Sequence, residues 1–252
     1  MPLDMSKPEV VHPVAGARIG TACAGIKQSK RDDLALFVFD SGTHIAGVYT
    51  KSHFMAAPVI VAKENEQSSL SWLVNSGNAN AATGNRGETD ARKTCQLVGE
   101  RLGFSNSSVQ PFSTGVIGEF LPMSRLTGAI LEASTKLDSG GWERAATAIM
   151  TTDTRSKIVS SQTNIAGQLI TITGIAKGSG MIKPDMATML AFIASDISIE
   201  RTLLKKLLAE ICDKSFNRIT VDGDTSTNDC FMLACTGAAD MPMISSEADQ
   251  RY

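Results

Sequence analysis

The chain has 252 residues, with 24 Lys+Arg against 26 Asp+Glu and a formal net charge of -2. That balance excludes a basic nucleic-acid binder and an acidic tail protein. With 42% hydrophobic and 20% charged residues the chain can bury a core, whereas its longest largely apolar run, Met186 to Ala194, is too short to span a bilayer. In chain order, Leu34–Phe39 (LALFVF) reads as a strand, and Ile45–Thr50, Pro58–Ala62 and Leu70–Val74 follow as strands at hairpin-like spacing. Thr89–Leu102 reads as a helix, because Ala91, Cys95, Val98 and Leu102 recur every three to four residues. A second helix is expected after Pro122, and a third over Gly141–Met150 with Trp142, Ala145, Ala146 and Ile149 inward. Gln168–Ile175 is β-branched and alternating, and Met189–Ala194 reads as a strand buried on both faces. Ile199–Phe216 is the clearest helix, with Leu203, Leu204, Leu207, Leu208 and Ile211 in one stripe and Ser198 as N-cap. Strands and helices alternate without a regular βαβ beat, so the expected class is α+β.

The cysteines Cys23, Cys95, Cys212, Cys230 and Cys235 are odd in number and irregularly spaced, which argues against a disulfide framework. Cys230 and Cys235 lie in an apolar stretch and read as buried thiols. His12, His44 and His53 form no ligand-spaced cluster. MPLDMSKPEV has neither the apolar core of a secretory signal nor the Arg-rich face of a transit peptide, so the expected compartment is the cytoplasm.

Three segments are unusual for their small and polar content. Asn75–Gly84 (NSGNANAATG) reads as a tight loop that brings many backbone N–H groups together. In Ser113–Glu119 (STGVIGE) the Thr114-Gly115 step offers a hydroxyl and an N–H, the donors an oxyanion needs. Lys177–Thr188 (KGSGMIKPDMAT) lacks the G-x-x-x-x-G-K-[ST] order of a phosphate loop. It ends on Ala187-Thr188 at the mouth of an apolar strand. A threonine there can attack the preceding carbonyl, shift the acyl group to oxygen and become a new N-terminal nucleophile. Residue chemistry alone leaves Thr188 open between that role and a core strand residue, and favours the core residue.

GIAKGSGMIKPDMATMLAFIASD closely resembles the processing segment of the ornithine acetyltransferases, also called glutamate N-acetyltransferases. NSGNANAATG, STGVIGEFLPM, SFNRITVDGDTSTND and AGIKQSKRDDLAL match the same family in order, from about Pro13 to Asp229. The resemblance implies a layered α/β/β/α sandwich and a self-cleaving threonine enzyme of arginine biosynthesis. Such an enzyme moves acetyl from N2-acetylornithine to glutamate through an acetyl-threonine. It needs no cofactor, with acetyl-CoA open as a second acetyl donor. The implied organisation is residues 1–187 as the fragment before the cut and 188–252 as the start of an incomplete second fragment, the processed fragments assembling as a hetero-oligomer. Neither nucleic acid nor membrane is an implied partner.

Roles carry over where motifs match. Thr188 is the implied nucleophile and Ala187-Thr188 the cleavage site, Thr114 and Gly115 the oxyanion pair, and Lys177, Thr154 and Thr188 the substrate contacts. Asp222, Asp224 and Asp229 in VDGDTSTND could suggest a cation, but they lack EF-hand spacing, and the stretch is expected to be a structural turn without metal. Family members continue beyond the position of Tyr252 and carry there a DGEGATK-like motif whose glutamate binds substrate. Low activity of this chain by itself is therefore expected. The alternatives are an amidase or aminopeptidase on a similar scaffold, and an inactive shortened homologue.

Overall fold

In the computed structural model, which describes residue 8 and residues 10–181 and 189–251, nine strands and five helices follow one another. The first half runs β1 (Ala17–Ala22), β2 (Leu34–Phe39), β3 (His44–Tyr49), α1 (Ala57–Asn65), β4 (Ser71–Asn78), α2 (Gly84–Leu102) and β5 (Val109–Val116). The second half runs α3 (Met123–Thr135), α4 (Trp142–Ala148), β6 (Lys157–Ile165), β7 (Gln168–Lys177), β8 (Leu190–Ser195), α5 (Arg201–Lys214) and β9 (Cys230–Cys235). One sheet has the order β1-β2-β4-β5 and the other β3-β9-β8-β7-β6. Each contains one parallel pair, β4 with β5 and β8 with β9, among antiparallel neighbours.

The sheets stack face to face over Phe37, Phe39, Trp72, Phe112 and Phe192, with Trp142 of α4 closing one side. Phe37 and Phe192 stack across the sheets at 5.6 Å, and Phe112 meets Phe192 edge-on at 5.1 Å. Such pairs add about 0.5–1.5 kcal/mol each beyond the area they bury. Helices α2 and α3 cover the outer face of the first sheet through Ala91, Cys95, Val98, Leu126, Ile130 and Ala133. Helix α5 covers the outer face of the second through Leu203, Leu204, Leu208 and Cys212. The chain is thus an α+β protein of α/β/β/α layers, as the sequence pattern and the resemblance led one to expect.

Several elements differ from expectation. Residues 58–62 lie inside helix α1: Pro58 occupies a first-turn position, where its missing N–H costs nothing, and the valines pack inward. Helix α2 begins at Gly84, five residues before its predicted start, and β4 takes up Asn75–Asn78 of the predicted loop. Helix α5 is capped by Glu200, whose carboxylate accepts the Leu203 N–H, and not by Ser198. Leu207 is only partly covered and Ile211 is 38% exposed, so the apolar stripe of α5 is narrower than predicted. Strands β1, β6 and β9 were not anticipated. No helix among the described residues is long and apolar enough to cross a membrane.

Candidate active site

Where β4, β5 and β7 end and β8 and β9 begin, a cavity of about 570 Å³ opens to solvent. Thr114, Gly115, Val116 and Ile117 form one wall, Thr151, Thr152 and Lys177 another, and Ser226, Thr227 and Asn228 a third.

The first wall owes its shape to two glycines. Gly77 pairs with Gly115 across the parallel strands, with φ of +105° and +134°. A Cβ on Gly115 would lie 2.3 Å from the Gly77 carbonyl carbon, so only glycine fits this approach. The asparagines of NSGNANAATG then satisfy the bent backbone. Asn75 Nδ2 donates to the Asn78 carbonyl at 2.9 Å, and Asn78 Nδ2 donates to Glu119 and Phe120 carbonyls at 3.2 and 3.1 Å. Asn78 Oδ1 accepts the Asn80 N–H, and Asn80 sits at a left-handed φ of 47° that asparagine tolerates. The segment is built in, not an ordinary surface turn.

The second wall carries charge. Lys177, 4% exposed at the end of β7, donates from Nζ to Thr114 Oγ1 at 2.7 Å and approaches Thr151 Oγ1 at 3.5 Å. Burial pulls its pKa below the usual lysine value, while the carboxylates of Asp153 and Asp229 pull the other way. Thr114 accepts from this ammonium and so keeps its own hydroxyl proton to donate elsewhere. Asp153 is tied to the Lys157 ammonium and accepts N–H groups from Gly178 at 2.9 Å and Thr151 at 3.3 Å. Burial would raise its pKa, but these partners outweigh burial and leave it lowered.

Of the residues singled out in the sequence, Thr114, Gly115 and Lys177 meet in this cavity. Thr154 is exposed at the far end of the 151–154 loop, whose Thr151 and Thr152 line the wall. Ala187 and Thr188 lie outside the described residues; the chain resumes at buried Met189, whose N–H donates to Asp229 Oδ1 at 2.8 Å. Asp222 and Asp224 line the mouth, and Asp222 accepts the Met181 N–H. Sequence reasoning passed over Lys27, which also lines the cavity and donates to the Ala148 and Met150 carbonyls at 3.0 and 3.1 Å. It passed over Asp33 as well, fully buried, which accepts the Ala24, Ile26 and Lys27 N–H groups and so folds the Lys27 loop. The only sequence signal for either was their place in AGIKQSKRDDLAL.

The arrangement suits a small anionic substrate with a polarised carbonyl. A buried ammonium can meet a carboxylate, and a hydroxyl beside an exposed glycine can meet developing negative charge. Among the described residues no three of His, Cys, Asp or Glu are grouped to hold a metal ion.

Comparison with known proteins points the same way. The pattern of the ArgJ family matches residues 18–251. The chain is 48% identical to the arginine biosynthesis bifunctional protein ArgJ of Pseudomonas syringae pv. tomato, over 93% of this chain and 58% of that protein. It is 50% identical to the protein of the same name from Methylococcus capsulatus, over 92% and 57%. It therefore spans somewhat over half the length of these curated relatives. Among solved structures, it is similar to the ornithine acetyltransferase of Mycobacterium tuberculosis, determined in complex with ornithine. The TM-score is 0.60 and the identity 34%, over 68% of this chain and 92% of that one.

Proposed function

The chain belongs to the ArgJ family, and from that premise we propose that it is a self-processing acetyltransferase that moves acetyl from N2-acetylornithine to glutamate. Thr188 is the nucleophile. In processing, its Oγ attacks the Ala187 carbonyl carbon, the amide N–C bond breaks as the ester forms, and the amine takes up the hydroxyl proton. Water then cleaves the ester, leaving Ala187 as a carboxylate and Thr188 as a free N-terminus. In transfer, Thr188 Oγ attacks the acetyl carbonyl of N2-acetylornithine. Charge gathers on the carbonyl oxygen at the Thr114 hydroxyl and the Gly115 N–H, and ornithine leaves with the proton. The glutamate amine attacks the acetyl-threonine, forming N-acetylglutamate and restoring the hydroxyl.

Lys177 meets the substrate carboxylate, and Thr154 meets substrate from the solvent side of its loop. The observation that carries this reading is the bond from the buried Lys177 ammonium to Thr114 Oγ1 in the cavity. The ornithine bound by the Mycobacterium tuberculosis protein supports the substrate class. Acetyl-CoA as a second donor, cytoplasmic residence and assembly of the two processed fragments belong to the same proposal.

Two measurements test it. Denaturing mass spectrometry should find fragments of 187 and 65 residues in the unsubstituted chain and only intact chain in Thr188→Ala. An assay with N2-acetylornithine, run with the chain supplemented by the downstream segment of a family member, should yield N-acetylglutamate when glutamate is added, whereas the 252-residue chain by itself should yield little. Free acetate released at the same rate with or without glutamate would identify an amidase instead.

A further inference from the structure

VDGDTSTND leads into β9, and its last two residues bond segments in and beside the cavity that lie far apart in sequence. Asn228 is 7% exposed, and its Nδ2 donates to the Ser113 carbonyl at 2.9 Å and to the Ala79 carbonyl at 2.7 Å. Ser113 immediately precedes Thr114, and Ala79 follows the Gly77 turn against which Gly115 packs. Asn228 is itself oriented: its Oδ1 accepts from Thr227 Oγ1 at 2.7 Å, and its N–H donates to Ser226 Oγ at 3.1 Å. Asp229, 1% exposed, faces the other way. Its Oδ1 accepts the Met189 N–H at 2.8 Å, and the next N–H along, that of Cys230, donates to the Met189 carbonyl at 3.2 Å.

We infer that Asn228 and Asp229 are positioning residues that hold the start of β8 in register with the strand carrying Thr114 and Gly115. The inference rests on the reading in which Thr188 is the nucleophile and Thr114 and Gly115 receive the oxyanion. Asn228 uses both amide protons on carbonyls of the donor wall, so that wall is fixed from the segment downstream of the cut. Asp229 fixes the main chain one residue after the nucleophile. Two adjacent residues thereby tie Met189 and the strand carrying the oxyanion donors to one another, and errors of about 1 Å in the placement of reacting groups cost about 10²-fold in rate.

The test uses the full 252-residue chain with Asp229→Ala, Asp229→Asn and Asn228→Asp, and Thr188→Ala as reference. Cleavage is timed by denaturing mass spectrometry. The cleaved protein is then acetylated with p-nitrophenyl acetate, following p-nitrophenolate release against ester concentration. Asp229→Ala should slow cleavage ~10-fold or more, whereas Asp229→Asn, whose amide oxygen still accepts the Met189 N–H, should stay within ~3-fold. Asn228→Asp puts a carboxylate against two carbonyls; its maximal acetylation rate should fall ~10-fold or more with the half-saturating ester concentration unchanged. Wild-type rates in Asp229→Ala and Asn228→Asp, with Thr188→Ala inert, would overturn the inference alone. Equal losses in Asp229→Asn and Asp229→Ala would overturn it too, since charge and not position would then matter. Cleavage or acetylation in Thr188→Ala, or neither reaction in the unsubstituted chain, would overturn the underlying reading and the inference with it.

Discussion

The two walls that meet at Thr114 and Lys177 reach the cavity by different physical means. At the end of β5 the donors are uncharged, and the backbone carrying them is pressed against Gly77 with no room for a methyl group. At the end of β7 the cavity receives one buried ammonium, compensated by the neighbouring carboxylates of Asp153 and Asp229. A wall made of close packing fails all at once when an atom is added. A wall made of buried charge carries a standing desolvation cost, and its removal leaves a stabler but less capable protein.

The packed wall gives the largest effect. Gly115→Ala places its Cβ 2.3 Å from backbone and asks alanine to hold a φ of +134°. Overpacking and backbone strain together should cost of order 3–5 kcal/mol, a large share of the total stability of a domain. Chemical denaturation should show the midpoint falling sharply, with acetyl transfer lost. A variant that folds and turns over normally would show that the two strands separate easily, and the contrast between the walls would collapse. Thr114→Ala removes a donor without adding bulk. In a complete, active version of the protein it should lower kcat by about 10²-fold while KM for N2-acetylornithine changes little, because the lost contact is made in the transition state. Unaltered kcat would take Thr114 out of the role.

Much of this was legible in the sequence, and the omissions have physical causes. Small-residue runs advertised the packed wall: the glycines and asparagines of NSGNANAATG and STG are local in sequence and few other structures need them. The ends of β2 were read correctly because every residue of LALFVF is buried, so the strand is a continuous apolar run. Strand β6 was missed because it is an edge strand with most of its side chains in water, leaving no periodic pattern. The segment of helix α1 looks like a strand because APVIVA is rich in β-branched residues, while Pro58 at a first-turn position is what suits it to begin a helix. The supports of the charged wall stayed hidden for another reason. Asp153 to Gly178 and Asp229 to Met189 span 25 and 40 residues, and lone aspartates carry no motif of their own.

The charged wall should respond to Lys177→Met in two directions. If Lys177 meets the substrate carboxylate as proposed, its loss, about 1.5–3 kcal/mol, should lower kcat/KM for N2-acetylornithine about 10–10²-fold in a complete, active version of the protein. Stability should rise, with Tm up by about 2–4 °C near neutral pH, the shift that about 1 kcal/mol produces in a domain of this size. The sign follows from the lowered lysine pKa. Burial penalises the protonated form, so the destabilisation is present below the folded pKa and is relieved as pH rises through it toward about 10.5. The gain in Tm should therefore shrink in alkaline buffer. A lower Tm at neutral pH would mean that the bonds to Thr114 and Thr151 outweigh the cost of burying the ammonium.

The smallest effect concerns the carboxylate that supports this wall from behind. Asp153 is held below its ordinary pKa by Lys157 and by the N–H groups of Gly178 and Thr151, against the upward pull of burial. A carboxylate lowered on folding contributes stability above its unfolded pKa and loses it as pH falls through the folded one. For an aspartate, whose ordinary pKa is about 3.9, that loss is concentrated below about pH 4. Asp153→Asn keeps an oxygen for only one of the two N–H groups, which bond different carboxylate oxygens, and gives up the charge facing Lys157, so it should melt lower than the parent at neutral pH. As the buffer is taken from about pH 5 toward pH 2.5, the parent loses what the variant never had, and the two melting curves should converge. A Tm difference constant across that range would place the contribution of Asp153 in its hydrogen bonds to the backbone. The wall around Lys177 would then be fixed by geometry, as the glycine wall is, and not by charge.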